Sequence, residues 1–496
     1  MRSRPTPYRT LAALALLLCS IASGSAQSSF DEWKQQQDRA FQEFLDEEDA
    51  AFRAFLEKEW IAFQAFVSRG YYEEPKLRDP PRVEDPVKRR PDPAPAPRPA
   101  PDPAPPARPE GGRSSTRPAD EPPPARTRTE RLSFHGTVLE LDVPEAVFAL
   151  GLASVSPEGF ADYWTAAAAA GTDALVEQLR AVAARHRLND FTYFQLVVDL
   201  ATALFDSRND SAAAAWHLMV ASGYDLRIAY SDSALAFLLP SSQTLYGYSF
   251  FPAPDRRYYL FDADGSALRT PGRWRTYEGN HAEATRLVGL GFGGGIDLPE
   301  RLRNEELSFS YEREEFTITL PVNEHLVGLL REYPFTDWYV HFAPSVSRSA
   351  RSELAEQLRR IVRGRSAPEA ANLLLRFVQT AFPYQTDQEH FGFEKWQSPE
   401  EILYYRYSDC DDRSVLYAYL LENVLGWDDA AVLNYPGHLA VAVPQSRLPG
   451  VSGDTVTQNG VRYLVTDPTY IGADIGMAMP QFRNVQPTVH SLRDRP

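Results

Sequence analysis

Residues 409–428 read DCDDRSVLYAYLLENVLGWD, and residues 206–225 read DSRNDSAAAAWHLMVASGYD. The two stretches align without a gap, with Asp206 opposite Asp409 and Gly223 opposite Gly426. In the later stretch, apolar residues recur at helical spacing and stop at a glycine. This pattern predicts a helix that follows Cys410 and ends at Gly426.

Further pairs of similar segments flank this one, in the same order and at similar spacing. They are the alternating, strand-like TVLELDVP (137–144) and FTITLPVN (316–323), the short FADYW (160–164) and FTDWY (335–339), the helical ALVEQLRAVAARHR (174–187) and ELAEQLRRIVRGRS (353–366), and the apolar ALAFLLP (234–240) and HLAVAVP (438–444). We therefore expect an α+β fold with two related modules in tandem, over residues 132–305 and 306–496.

The sequence before these modules divides into three segments. Residues 1–26 have the order of a secretory signal peptide: arginines, a short apolar run, and small residues ending at Ala26. Lipid attachment at Cys19 is the alternative, and the bulky Leu18 disfavours it. Residues 73–128 are rich in Pro, Ala and Arg, which predicts a disordered linker.

Between signal peptide and linker, residues 28–70 carry aromatic side chains with an 11-residue period. They are Phe30, Phe41, Phe52 and Phe63 together with Trp33, Phe44, Phe55 and Phe66. Eleven residues are about three helical turns, so the eight aromatics form one stripe on an amphipathic helix. We expect this stripe to mediate self-association or to pack on the rest of the protein, in preference to lying on a membrane surface.

Composition limits the function classes. The formal charge of −16 disfavours nucleic-acid binding, which needs a basic surface. No run after the signal peptide is apolar and long enough to be a stable membrane span. The expected location is therefore extracytoplasmic, periplasmic or secreted. The chain has two cysteines, and cleavage after Ala26 would remove one of them, so Cys410 could not pair within the mature chain.

The two modules differ where side-chain chemistry would matter. Ser207 stands at the position of Cys410, and Ala234 or Ser233 at the position of His438, whereas Asp262 matches Asp467. Loss of the thiol and the imidazole together is expected if only the second module is catalytic. The first module is then a degenerate, non-catalytic relative.

A Cys, a His and an Asp at such positions suit nucleophilic catalysis. Cys410 precedes a helix, His438 opens a strand and Asp467 ends one, so the three would converge if both strands lie beside the helix. An imidazole and a helix N-terminus favour the thiolate, and a carboxylate orients the imidazole. Asp409 and Asp411 oppose this by raising the pKa of the thiol, and Asp409 is expected to cap the helix.

These motifs, YSDCDDRSVLYAYLL (407–421), YPGHLAVAV (435–443) and YLVTDPTY (463–470), resemble the transglutaminase-like (papain-like) cysteine superfamily. The resemblance extends over about residues 370–485. It implies Cys410 as nucleophile, His438 as general base and then acid, and Asp467 as the orienting carboxylate. It also implies an oxyanion hole with the Cys410 N–H and a second donor, for which Gln385 and Trp396 are candidates.

The expected function is therefore that of an exported thiol enzyme acting on amide bonds, as a peptidase, an amidase or a transamidase. Its substrate would be a protein or peptide, with cell-wall peptides included. The alternative is an envelope binding or scaffolding protein without turnover. No cofactor or metal is assigned, although some relatives bind calcium beside the nucleophile, which Asp409 and Asp411 resemble. The glycine-rich segment 289–298 lacks the context of a phosphate-binding loop and is expected to be irregular.

Overall fold

The computed structural model of the protein describes residues 126–253, 256–268, 273–277, 279 and 281–495. The predicted signal peptide and aromatic helix, and the linker up to residue 125, lie outside the described residues. Strand β1 starts at Thr127, so it includes the last two positions assigned to the linker. Within the described ranges, no helix has both the length and the apolar character needed to cross a membrane.

The first module begins with a β-hairpin, continues with helices and ends with an antiparallel sheet. The hairpin is β1 (Thr127–Phe134) with β2 (Thr137–Pro144). The helices are α1 (Pro157–Ala169), α2 (Asp173–His186), α3 (Asp190–Leu204) and α4 (Arg208–Ala221). The sheet contains β3 (Arg227–Tyr230), β4 (Leu235–Ser241), β5 (Phe250–Pro252), β6 (Arg257–Asp262) and β7 (Arg275–Tyr277), in the order β5-β6-β4-β3-β7.

The second module repeats this arrangement. Its hairpin is β8 (Leu302–Tyr311) with β9 (Glu314–Asn323). Its helices are α5 (Glu324–Leu330), α6 (Trp338–His341), α7 (Arg348–Val362), α8 (Ala367–Thr380), α9 (Asp387–His390), α10 (Pro399–Tyr405) and α11 (Cys410–Leu425). Its sheet contains β10 (Ala431–Tyr435), β11 (His438–Pro444), β12 (Thr455–Gln458), β13 (Val461–Thr466) and β14 (Thr488–Ser491), in the order β12-β13-β11-β10-β14.

The fold is therefore of the expected α+β class, and the two sheets share one topology. Counted from its own first strand, each sheet has the order third, fourth, second, first, fifth, with every pairing antiparallel. Asp262 lies opposite Ala236, and Asp467 follows Thr466, which lies opposite Val441. In the sequence alignment Ala236 matches Ala440, so the two aspartates occupy equivalent places. The same register selects Ala234 over Ser233 as the counterpart of His438.

The predicted boundary between residues 305 and 306 is misplaced, because it falls inside strand β8. This strand starts at Leu302, which pairs with Asn323 of β9. The polar residues NEE at 304–306 are unfavourable for a strand, so the sequence pattern does not predict that the strand begins before them. Glu305 is nevertheless fully buried, with Arg303 at 3.4 Å, so an acidic residue occupies an inward-facing position there. The hairpin belongs as a whole to the second module.

Two large hydrophobic clusters form the cores, and the short helix α5 contributes to both. Its residues Leu326, Leu329 and Leu330 pack with the first core, whereas Val327 packs with the second. Hydrogen bonds also cross between the modules: Thr336 Oγ1 donates to the Thr244 carbonyl at 2.8 Å, and Asn189 Nδ2 donates to Tyr333 OH at 2.7 Å. The modules are thus held together by shared apolar packing and by hydrogen bonds from side chains.

Helix α11 begins and ends as its sequence predicts. The Asp409 carboxylate accepts from the Asp412 N–H, and the Asp412 carboxylate accepts in return from the Asp409 N–H, which forms a capping box. Gly426 ends the helix at φ +72°, in the left-handed region where glycine carries no steric penalty. Local signals therefore fix the placement of Cys410 as the first residue of this helix.

Candidate active site

Cys410 lies against the strand that carries His438. The Ser414 hydroxyl, one turn into α11, reaches the carbonyl of Cys410 at 2.8 Å and that of Leu439 at 3.1 Å. Helix α11 and strand β11 are therefore joined next to Cys410, one residue from His438. Cys410 is partly exposed, whereas His438 and Asp467 are buried.

His438 and Asp467 are in direct contact. Strands β11 and β13 are neighbours, and His438 Nε2 donates to Asp467 Oδ2 at 2.8 Å. The other carboxylate oxygen, Oδ1, accepts from the backbone N–H of Thr469 at 3.0 Å and of Tyr470 at 3.2 Å. The carboxylate is thus held from one side and orients the ring from the other, as a base-orienting group does.

An aromatic ring covers the imidazole. Phe482 stacks on His438 with ring centroids 4.8 Å apart and planes inclined by 7°. The same phenyl ring lies 4.9 Å from that of Tyr435, which precedes the Pro-Gly turn of the β10–β11 hairpin. This stack restricts rotation of the imidazole and keeps it in line with Asp467. No sequence motif predicts this role for Phe482.

The thiol lies in a strongly acidic setting. Although part of Cys410 is exposed, protein surrounds its thiol closely, and this desolvation raises the pKa of Cys410 well above its ordinary value. The carboxylates of Asp411 and Asp409 raise this pKa further, whereas the Leu439 N–H lowers it. The sulfur also lies 3.7 Å from Asp411 Oδ1, a geometry in which an S–H donates to the carboxylate. The expected opposition between the flanking aspartates and thiolate formation is thus present in the structure.

A third buried carboxylate joins this cluster. Oxygens of Asp387, Asp409 and Asp411 lie within 4.8 Å of one another, and burial raises the pKa of each carboxyl. Asp387 Oδ1 and Asp411 Oδ2 are buried without a hydrogen-bond partner. Three convergent oxygens of this kind fit a hard divalent cation such as calcium. A cation bound there would offset negative charge beside the thiol.

The loop before α10 is anchored to the same helix. Asp412 accepts from the Gln397 N–H and from Gln397 Nε2, both at 2.6 Å. Asp387 Oδ2 accepts from the Lys395 N–H at 2.7 Å, and Lys395 forms a buried ion pair with Glu401 at 2.9 Å. Asp412 and Asp387 therefore each anchor the loop before α10.

The two candidates for the second oxyanion donor differ in placement. The Gln385 N–H donates to the carbonyl of Ser408, two residues before Cys410, and the Gln385 Oε1 atom is buried without a hydrogen-bond partner. Trp396 instead stacks on Phe335 at 5.3 Å. Gln385 is thus the candidate tied to the backbone near the thiol. His390 ends helix α9, and its ring lies 4.2 Å from that of Tyr407.

The equivalent place in the first module contains different chemistry. Ser207 caps helix α4, and Arg208, at the position of Asp411, forms an ion pair with Asp262 at 2.6 Å. Asp262 has thus kept a cationic partner, but an arginine from the helix supplies it. With serine and alanine at the positions of Cys410 and His438, this module has neither a thiol nor an imidazole there.

The sequence singles out Cys410, His438 and Asp467 but not other buried residues that lie near them. Asp387 lies in a one-turn helix more than twenty residues before the thiol, and Gln379 lies near the end of helix α8. Neither sits in a recognisable motif. The only sequence signal for either residue is that Gln379 is a polar side chain beside the apolar residues of LLLRFVQT (373–380).

Comparisons with known proteins do not assign the chain to a family. No protein-family model matches the sequence, and no curated protein matches it.

Proposed function

We propose that this protein is a thiol-dependent enzyme that acts on amide bonds through an acyl-enzyme intermediate. The observation that carries the proposal is the 2.8 Å hydrogen bond between His438 and Asp467. The proposed base and orienting carboxylate lie on the neighbouring strands β11 and β13, and the helix that begins with Cys410 is hydrogen-bonded to β11 through Ser414. The sequence resemblance to transglutaminase-like enzymes supports the same roles.

In the proposed reaction, Cys410 Sγ attacks the carbonyl carbon of the amide while His438 accepts the thiol proton. Because Nε2 is bound to Asp467, Nδ1 is the ring nitrogen that would exchange protons with the thiol. The Cys410 N–H, at the first turn of α11, would stabilise the oxyanion. His438 then protonates the leaving amine, and a thioester remains on Cys410.

Two acceptors can release the acyl group. Water gives hydrolysis, as in a peptidase or amidase, and an amine gives transamidation; we favour hydrolysis because water is the more abundant acceptor. The proposed substrate is a protein or peptide outside the cytoplasm, with cell-wall peptides as one class. The signal peptide predicted at residues 1–26 motivates that location.

A second function, that of a binding or scaffolding protein without turnover, has one observation in its favour. The raised pKa of Cys410 keeps the thiol protonated at neutral pH unless the neighbouring negative charge is offset. A scaffold would need no thiolate. The buried His438–Asp467 pair argues for the enzyme, because a scaffold has no use for an oriented imidazole beside a thiol.

Thiol alkylation separates the two functions. Iodoacetamide is reacted with the full chain near neutral pH, and labelling is followed by mass spectrometry of the peptide that contains Cys410. If the protein is a thiol enzyme, His438→Ala and His438→Asn should slow labelling about tenfold or more, because the base that assists thiolate formation is lost. The control Ser207→Ala, in the first module, should leave the rate unchanged. Equal labelling rates in all four proteins would refute the catalytic pair.

A further inference from the structure

One buried glutamine holds the segment that starts at the proposed orienting carboxylate. Gln379 lies in the last turn of helix α8 and is 1% exposed. Its Nε2 atom lies within hydrogen-bond distance of the carbonyls of Asp467 (3.2 Å), Tyr470 (2.8 Å) and Ala473 (3.1 Å), and its Oε1 atom accepts from the Gly472 N–H at 3.1 Å. A single side chain thus contacts four backbone groups of residues 467–473.

The same face of α8 continues the attachment. Arg376 Nη1 donates to Gln379 Oε1 at 3.0 Å, and Arg376 Nη2 donates to the Gly472 carbonyl at 3.2 Å. One turn earlier, Asn372 Oδ1 accepts from the Ile475 N–H at 2.9 Å. Asn372 therefore holds the far end of the segment, whereas Gln379 is the contact that reaches Asp467 itself.

We propose that Gln379 is a positioning residue for the His438–Asp467 pair. The proposal rests on the proposed function for its effect on the thiol, but its geometric part is independent. Asp467 Oδ1 accepts from two N–H groups of the segment that Gln379 anchors. If the segment shifts, those two donors shift with it, and the carboxylate rotates away from His438.

This arrangement explains a buried polar side chain that the apolar face of α8 does not need. The two hydrogens of the Gln379 amide are shared among three carbonyls, and the amide oxygen is also used, so few other residues can replace it. A methionine has similar volume but no hydrogen bond. A glutamate keeps the acceptor but places a carboxylate against three carbonyls.

The first measurement concerns the geometry. Proton NMR of the full chain should show a low-field resonance from the His438 imidazole N–H that donates to Asp467, identified by its loss in His438→Asn. We expect Gln379→Met and Gln379→Glu to shift this resonance upfield or to broaden it through exchange. The matched control Asn372→Leu removes a loop hydrogen bond at the far end and should leave the resonance in place.

The second measurement concerns the thiol. Gln379→Met should slow alkylation of Cys410 by about 10- to 100-fold when His438 is present. In a His438→Asn background the same substitution should have no further effect, because the pair that Gln379 positions has already been removed. General destabilisation would slow or speed labelling equally in both backgrounds.

The outcomes separate the two proposals. An unchanged resonance in both folded Gln379 variants would overturn the positioning role. If His438→Asn itself slows labelling, equal slowing by Gln379→Met in the two backgrounds would overturn it as well. The resonance could change in the Gln379 variants while the labelling rate is unaffected by His438→Asn. That result would support the positioning role and refute the proposed enzymatic function. Circular dichroism establishes that each variant is folded, and if Gln379→Met is not, Gln379→Glu decides the question.

Discussion

The two modules keep an aspartate at the same place in the same sheet but give it different partners. In the first module, the partner of Asp262 is Arg208, which is 58% exposed and comes from helix α4. In the second, the partner of Asp467 is His438, which is fully buried and comes from the strand hairpin. The helix position that Arg208 occupies in the first module is occupied by Asp411 in the second. The same topology thus places a guanidinium beside the aspartate in the first module and an imidazole beside it in the second.

The largest expected effect contrasts these partners. His438→Ala should lower the free energy of unfolding by about 4 kcal/mol, because it leaves a cavity and an unpaired buried carboxylate. Arg208→Ala should cost less than about 1 kcal/mol, since its ion pair is exposed to solvent. Denaturant unfolding of the two variants measures the difference. Equal costs would mean that the two pairs are energetically alike and that the comparison fails.

Acid should destabilise both modules, because each contains a buried histidine whose pKa is lowered in the folded protein. His341 accepts from the Thr336 N–H, and burial, reinforced by Lys395, lowers its pKa to about 3. The unfolded chain binds this proton near pH 6.5 and the folded chain does not, so stability is lost as the pH falls through that window. The loss should reach about 3 kcal/mol near pH 4.

His217 of the first module adds a loss in the same direction, since burial lowers its pKa to about 4. Chemical unfolding at several pH values is the measurement. His341→Gln should flatten the pH dependence of stability between about pH 6.5 and pH 4. A slope unchanged by this substitution would show that His341 is protonated in the folded protein.

The difference in charge beside Cys410, where Asp411 replaces the arginine of the first module, should alter thiol reactivity. Asp411→Asn removes the negative charge nearest the sulfur and so lowers the pKa of Cys410, which should speed its alkylation about tenfold near neutral pH. The experiment is run with a chelator, so that a cation held by the cluster cannot mask the change. Slower labelling in Asp411→Asn would indicate that this carboxylate assists the thiol.

The smallest effect concerns what the modules share. Gly223 and Gly426 follow equivalent helices at φ +87° and +72°, and an added Cβ would meet no close contact at either. Alanine should therefore cost about 1 kcal/mol at each site through backbone strain alone. Gly151→Ala, at an ordinary φ and in open space, is the matched control. Thermal unfolding of the three variants tests whether the two helix ends are equivalent.

Local sequence signals predicted the elements but not the packing around the site. Asp409, Gly426 and the apolar run from His438 each carry their own structural rule, and the helix and strand appear where those rules place them. Asp387, Gln379 and Phe482 reach the site by tertiary folding, which no spacing encodes. The misplaced module boundary has a similar cause, because Glu305 is buried against every local expectation for an acidic residue.

The strand order has a consequence for how the protein is made. Strand β10 is almost wholly buried, and its free side is covered by β14, which is synthesised more than fifty residues later. In the first module β7 similarly covers β3 after a long interval. Until the covering strand emerges from the ribosome, each sheet exposes an apolar edge with unpaired N–H and C=O groups, a template for aggregation. In the first module, β7 can pair with β3 while the second module is still being translated. The second sheet, whose β14 is made last, is therefore the one more exposed to aggregation during synthesis.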